Sequence, residues 1–137
     1  MFDQTWTRPF HWGVLIICDT LGAIDLPELQ KGQIVGATDN CILVSVRHAQ
    51  DFDTEGMDLA PDDIVPWSYV TVRCATGREP KGSVQFIGSV QCSSGKLTLG
   101  DADESVEVEV KPGRVALAIS YSPNDFPEIV NVWIVGA

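Results

Sequence analysis

The sequence predicts an all-β protein, an antiparallel β-sandwich or flattened barrel of eight to nine short strands. Apolar and polar residues alternate with a period of two through most of the chain, which is typical of strands with one buried face. Turn sequences containing Gly, Pro, Asn or Asp separate these alternating runs. Long segments with helical periodicity do not occur between the runs, and this favours a sandwich over a parallel sheet joined by helices.

The N-terminal half contains three alternating runs, at residues 12–18, 33–37 and 41–48. The third run reads CILVSVRH, so its apolar residues share one face while Ser45 and Arg47 face water. This alternation predicts a half-buried strand whose inward-facing residues are Ile42, Val44 and Val46.

One short helical turn is predicted between the first two runs, over residues 26–31. Asp25 can cap it, and Pro27 lies in the first turn, where a missing N–H costs little. Gly32 then ends the segment, as glycine commonly does after a helix.

The C-terminal part contains five more runs, with the clearest alternation in the chain. Ser93-Ser94-Gly95 and Pro112-Gly113 are typical of hairpin turns, and Pro123-Asn124-Asp125 predicts a third turn. Val70, Val72 and Cys74 are expected to face inward in the first of these runs. The five runs cover residues 67–74, 83–92, 106–110, 115–121 and 128–135.

Length and charge limit the classes of protein that fit. A chain of 137 residues suits one domain, which we expect to span residues 1–137. The 19 Asp and Glu against 9 Lys and Arg give a net charge of −10. Because phosphate contacts need clustered Lys and Arg, this balance argues against a nucleic-acid binder or a membrane-surface binder.

No secretory signal or membrane-length apolar run is recognisable, which predicts a cytoplasmic protein.

Four cysteines are spread along the chain without a paired C-x-x-C spacing, so the sequence gives a zinc site little support. All four lie in runs that are predicted to be strands. We expect buried free thiols that act as small apolar residues. A bridge between Cys18 and Cys41, or between Cys74 and Cys92, remains open at this point.

Six acidic residues are concentrated in one segment: Asp51, Asp53, Glu55, Asp58, Asp62 and Asp63. This acidic segment (residues 51–63) fits a solvated loop, a calcium loop or a docking face for a basic partner. The calcium interpretation rests on carboxylates at alternate positions followed by Gly56. Against it, Glu55 replaces the usual Asp or Asn, Asp58 stands at a customarily apolar position, and the flanking runs are strands.

The sequence offers little for catalysis. His11 and His48 are the two histidines, each beside a predicted strand, and the nucleophile motif G-x-S-x-G does not occur. We therefore expect a binding protein rather than an enzyme, with no cofactor and no metal. The alternative is a ligand- or carbohydrate-binding sandwich, with Trp67 or Trp133 stacking on a sugar and calcium at the acidic segment.

The order of features resembles the small bacterial family of the competence-associated nuclease inhibitor and related immunity-type β-sandwich proteins. The similar segments are short, and each is common among β proteins. They are Phe10-His11-Trp12 before the first strand, the turn ending in Lys31-Gly32, Val35-Gly36-Ala37-Thr38-Asp39-Asn40 before a strand ending at Arg47, the Pro112-Gly113 hairpin, and a closing apolar strand. The loop at residues 50–66 is longer than this family would lead one to expect, so the choice of partner can differ.

The resemblance implies a non-enzymatic inhibitor that binds a nuclease and blocks its active site. An acidic chain suits that role, since a nuclease presents a basic, phosphate-binding surface. The partner-binding residues would be those of the acidic segment, acting by electrostatic steering and phosphate mimicry. Unassigned edge strands also leave open a homodimer that forms by edge-to-edge pairing.

Overall fold

The computed structural model describes residues 2–22, 24–50, 68–77, 80 and 82–135. Within these ranges the chain forms ten strands and no helix. The bounds are β1 Asp3–Arg8, β2 Val14–Asp19, β3 Val35–Ala37, β4 Cys41–Ser45, β5 Val70–Thr76, β6 Phe86–Cys92, β7 Lys96–Gly100, β8 Ser105–Glu109, β9 Gly113–Ser122 and β10 Ile129–Val135.

The strands form two five-stranded sheets, which confirms the predicted β-sandwich. The first sheet has the order β1-β5-β10-β9-β6, and the second has the order β3-β4-β2-β7-β8. All strand pairs are antiparallel except β5 with β10, which run parallel. Neither sheet closes on itself, so the flattened-barrel alternative does not apply.

The core lies between the two sheets and is built from the inward-facing residues of both. The predicted inward sets are confirmed, because Ile42, Val44, Val70, Val72 and Cys74 are fully buried and Val46 is nearly so. Removing such side chains from water is the main source of stability in a fold of this kind. The largest fully buried side chains include Phe10, Leu15, Ile17, Leu97, Leu99, Leu117, Ile119 and Ile134.

The predicted helical turn at residues 26–31 is wrong. Residues 24–30 have no regular secondary structure and lie against β3. The Asp25 carbonyl, which would accept a hydrogen bond inside the helix, accepts one from Thr38 Oγ1 at 2.6 Å. Leu29 packs so closely on Gly36 that a Cβ there would lie 2.7 Å from Leu29 Cδ2. Packing on the sheet therefore outweighs the local helical signal.

Two of the three predicted turns connect different sheets. Residues 93–95 join β6 of the first sheet to β7 of the second, and residues 110–112 join β8 back to β9. The hairpin interpretation of both turns is therefore wrong. The two connections pack together, since a Cβ on Gly95 would lie 3.1 Å from Pro112 Cγ. The turn at residues 123–125 does close a hairpin, with Ile129 opposite Ser122.

The four cysteines are free and buried, as predicted. Cys18 and Cys41 lie opposite each other on β2 and β4, whereas Cys74 and Cys92 lie on strands that are not neighbours. Burial raises the pKa of Cys18 to about 11, and the nearby Cys41 thiol adds to that effect. Burial likewise raises the pKa of Cys74 to about 12.

Candidate functional site

The acidic segment lies outside the described residues, and the structure describes the residues that precede and follow it. Ser68 N donates to the Ala49 carbonyl at 2.8 Å, so these two residues lie side by side. Ala49 N in turn donates to the Phe10 carbonyl at 2.9 Å. The predicted partner-binding residues Asp51, Asp53, Glu55, Asp58, Asp62 and Asp63 lie between Ala49 and Ser68 in the sequence and outside the described part of the chain.

We call this part of the molecule the loop end, formed by residues 9–13, 46–50, 68–69 and 123–128. Its connections come together because β1, β4 and β9 finish there while β2, β5 and β10 begin there. Arg47 N donates to the Pro127 carbonyl at 2.9 Å, and Thr71 N donates to the Glu128 carbonyl at 2.8 Å. Arg47 and Glu128 also form an ion pair. These bonds join connections from both sheets.

Three aromatic side chains are exposed at the loop end. Trp12 is 62 % exposed, Tyr69 is 54 % exposed and Phe126 is 59 % exposed. Large exposed aromatic residues are enriched in protein interfaces, where they provide contact area at low entropic cost. The sequence argument missed these residues, although an apolar side chain inside a turn, such as Phe126, is a usable signal.

The two histidines lie near the loop end without forming a recognisable catalytic arrangement. His11 is exposed in the connection from β1 to β2. His48 Nδ1 accepts a hydrogen bond from Gln50 N at 3.0 Å, and its ring faces Gly13, where a Cβ would lie 3.5 Å from His48 Cδ2. His48 therefore holds the backbone at Gln50 and packs beside Gly13.

A buried carboxylate, Asp19, lies at the opposite end of the sandwich, where β2 finishes. Ser94 donates to it through both its backbone N and its hydroxyl, and Leu21 N donates to Oδ1 at 3.1 Å. The hydroxyl bond from Ser94 is the main cause of the lowered pKa of Asp19. A carboxylate with a lowered pKa is a poor base, so this pair fixes a turn and does not activate the serine.

A second buried carboxylate, Asp101, ties the edges of the two sheets together. Arg8 from the first sheet donates to Asp101 Oδ1 at 2.7 Å and to the Glu104 carbonyl at 3.0 Å. The Arg8 guanidinium also lies 3.9 Å from the centre of the buried Phe10 ring. The Arg8 and Asp101 side chains are 10 % and 1 % exposed. We call this group the arginine clamp.

Burial alone would raise the pKa of Asp101. The hydrogen bonds from Arg8 and from the backbone N–H groups of Glu104 and Asp103 outweigh burial, so the pKa lies below its usual value. Asp101 is therefore ionised throughout the neutral pH range.

One of the two tryptophans named in the carbohydrate alternative, Trp133, is buried. Trp133 is 6 % exposed and packs with Ala75, Ala118 and Val84 on the outer side of the first sheet, so it offers no face to a sugar. Trp67 lies outside the described residues.

No group of three or more His, Cys, Asp or Glu in the described part of the chain is arranged to hold a metal ion. The calcium hypothesis concerns the acidic segment and stays untested. Across residues 2–135, with the gaps given above, no helix has the length and apolar character needed to cross a membrane.

Two solved structures share this fold. The crystal structure of ComJ, an inhibitor of the DNA-degrading activity of NucA from Bacillus subtilis, matches with a TM-score of 0.57 over 100 % of both chains, at 9 % identity. A protein described as crocagin biosynthetic gene J matches with a TM-score of 0.51 at 15 % identity, covering 97 % of this chain and 98 % of the other. No protein-family model and no curated protein matches the sequence. At these identities the likeness concerns the fold.

Proposed function

We propose that this chain is a non-enzymatic inhibitor or immunity-type protein that binds a basic enzyme such as a nuclease. The observation that carries the proposal concerns Ala49 and Ser68, which stand on either side of the acidic segment in the sequence. These two residues are hydrogen-bonded to each other at the loop end, which also carries three exposed aromatic residues. Charged groups next to aromatic anchors are a common arrangement in protein interfaces.

Charge and fold support the same assignment. A net charge of −10 favours a basic partner and speeds its association by long-range attraction. The fold is shared with ComJ, an inhibitor of a nuclease. In the proposed complex, the acidic segment occupies the phosphate-binding surface of the enzyme while Trp12, Tyr69 and Phe126 provide apolar contact area.

The test compares two variants with the same net charge. In the first, the six acidic residues of the segment become Asn or Gln. In the matched control, six exposed carboxylates elsewhere are replaced in the same way, so each variant carries −4 instead of −10. The control positions are Asp25, Glu28, Asp39, Asp103, Glu107 and Glu109.

Tagged protein first recovers a partner from a lysate of the source organism at low salt, and that partner is then purified. We expect it to hydrolyse nucleic acid and to be inhibited by the wild-type chain. Neutralising the segment should slow association at least about tenfold, whereas the control should retain most of the rate. Equal rates for the two variants would show that only net charge matters and would remove the segment from the site. A partner without hydrolytic activity would contradict the inhibitor assignment.

A further inference from the structure

Each described sheet has two edge strands, in which one side of the backbone faces no neighbouring strand. They are β1 and β6 in the first sheet and β3 and β8 in the second. An unprotected edge can pair with another chain, and proteins usually prevent this with charged side chains or by keeping the edge strand short. The four edges differ in this respect.

Three of these edges are protected. β3 has three residues and therefore offers little backbone for pairing. β1 reads DQTWTR and carries Asp3 and Arg8. β8 reads SVEVE, and Glu107 and Glu109 are exposed on the outer face of its sheet. A second copy of β8 would bring carboxylates close to one another, which is unfavourable in strand pairing.

β6 has neither kind of protection. It has seven residues, FIGSVQC, and none of them is charged. Ile87 lies on the outer face of this strand and is 80 % exposed. A long, uncharged edge strand that exposes an isoleucine is typical of a strand that pairs with another chain.

The backbone groups of Ile87 and Ser89 point to the open side of β6. Gln91 N donates to the Asp39 carbonyl at 2.8 Å, so the backbone of Gln91 points away from β9. Backbone groups alternate in direction along a strand, so Ile87 and Ser89 point the same way as Gln91. Within the described residues, the sheet order gives their N–H and C=O groups no neighbouring strand on that side.

We propose that two copies of this chain form a dimer by antiparallel pairing of β6 about a two-fold axis at Gly88. Ile87 then lies opposite Ser89 of the partner subunit. The N–H and C=O groups of both residues form four hydrogen bonds between the copies. This register uses all four edge-directed groups that Ile87 and Ser89 provide in each copy.

Charge and symmetry identify a second copy as the occupant. The net charge of −10 opposes contact between copies at an acidic edge, whereas β6 adds no charge of its own. A basic partner would find better charge complementarity at β8. The open groups of β6 are complementary to themselves, as a two-fold interface requires. The two Ile87 side chains also lie diagonally across the axis on one face and shield each other from water.

The dimer leaves both loop ends accessible. β6 begins opposite the last part of β9, which finishes at the loop end. Since the two copies of β6 run in opposite directions, the two loop ends point away from each other. The proposal is therefore independent of the proposed function, and either can fail without the other.

Sedimentation velocity of the full chain tests the proposal, and we expect the dimer fraction to rise between about 1 μM and about 1 mM. Ile87→Lys should raise the dissociation constant at least about tenfold, because it places two lysines close together at the axis. Ile129→Lys is the matched control, since Ile129 lies on β10 of the same sheet and is 49 % exposed. One added lysine changes the net charge from −10 to −9 in both variants, so overall repulsion changes equally.

Two proline variants test the backbone of the edge. Ser89→Pro removes an N–H that β9 does not use, so it should abolish the dimer and keep the sheet. Ser105→Pro is the matched control on β8. Val110 N donates to the Gly95 carbonyl at 2.9 Å, so the N–H of Ser105 also points away from β7. Ser89→Ala, which keeps the N–H, should still form the dimer, and thermal unfolding verifies that each variant is folded.

Amide hydrogen exchange reports on the paired strand directly. The amides of Ile87 and Ser89 should exchange at least about tenfold more slowly at about 1 mM than at about 10 μM, while the amide of Glu107 exchanges equally at both concentrations. A chain that stays monomeric at about 1 mM would overturn the proposal. A dimer that Ile87→Lys and Ile129→Lys weaken equally would also overturn it. A dimer that survives Ser89→Pro and is lost in Ser105→Pro would place the interface at β8 instead.

Discussion

Two buried aspartates beside strands of the second sheet are compensated in different ways for the loss of water around their carboxylates. Asp19 ends β2 and accepts hydrogen bonds from the neutral groups of Ser94 and Leu21 on both of its oxygens. Asp101 follows β7 and relies on the positive charge of Arg8, while its Oδ2 accepts no hydrogen bond from the residues that the structure describes. The burial of Asp19 is therefore compensated by neutral groups near its own strand end, whereas the burial of Asp101 depends on a charged side chain from the other sheet.

The largest change in stability is expected when Arg8, the partner of Asp101, is removed, and this change distinguishes Asp101 from Asp19. Arg8→Met leaves Asp101 as an unpaired charge with a 1 % exposed side chain, so we expect a loss of about 3–5 kcal/mol in the free energy of unfolding. Urea unfolding measures it. Asp19 keeps all its donors in this variant, so the turn at residues 93–95 remains intact.

An exposed ion pair provides the control for Arg8→Met. Arg73 donates to Asp3 at 2.8 Å on the outer side of the first sheet, and both side chains are partly exposed to water. Arg73→Met should therefore change the stability little. A second control, Arg8→Met with Asp101→Leu, should recover a large part of the loss because no buried charge remains. Equal losses for Arg8→Met and Arg73→Met would contradict the clamp.

Lowering the pH should destabilise the protein through Asp19 and Asp101 together, by less than the substitution Arg8→Met does. Their pKa values lie below the ordinary value of 3.8, so the folded protein binds fewer protons than the unfolded chain in that range. The stabilisation is complete above pH 3.8 and is lost as the pH falls through the lower pKa values of the folded state. Unfolding free energy measured from pH 5 to pH 2 should therefore fall steeply.

Single substitutions separate the two contributions to acid sensitivity. Asp19→Asn and Asp101→Asn should each give a shallower dependence on pH than the wild type, because one titrating group is lost. Asp125→Asn, in an exposed turn, provides a control. If either buried variant kept the wild-type pH slope, the lowered pKa assigned to that residue would be wrong.

Much of the fold could be predicted from the sequence because burial imposes a local pattern. The inward faces of β4 and β5 follow from alternation alone. Alternation did not identify β1, which reads DQTWTR and is largely exposed at the edge of its sheet, or the five-residue β7. β1 lies at the edge of its sheet and has mostly exposed residues, so it lacks the pattern that marks a central strand. β7 lies between β2 and β8 and buries Leu97 and Leu99, but five residues give only a short alternating run.

The connections and the arginine clamp could not be predicted because they depend on distant parts of the chain. Pro112-Gly113 has the chemistry of a hairpin turn, yet the strand pairing on either side decides whether it stays in one sheet or crosses to the other. Arg8 and Asp101 are 93 residues apart, and no spacing rule relates them. The sequence predicts the acidic segment as the partner-binding site, which stays a prediction, and only the structure shows which exposed aromatic residues share the loop end with Ala49 and Ser68.

The smallest expected effect uses Cys18 as a reporter of a cavity of about 250 Å³ that it lines together with Ile16, Ile24 and Leu26. Its pKa of about 11, compared with an ordinary 9.0, leaves about a hundredfold less thiolate at pH 8. We expect alkylation by iodoacetamide to be slower than for free cysteine by about that factor and to rise about tenfold per pH unit up to pH 10. Cys74, which is fully buried in the core, should react only through unfolding, so its alkylation should be slower than that of Cys18. Mass spectrometry of each cysteine-containing peptide gives both rates. Equal rates for the two thiols would mean that Cys18, like Cys74, reacts only through unfolding, and its position beside the cavity would then not control its reactivity.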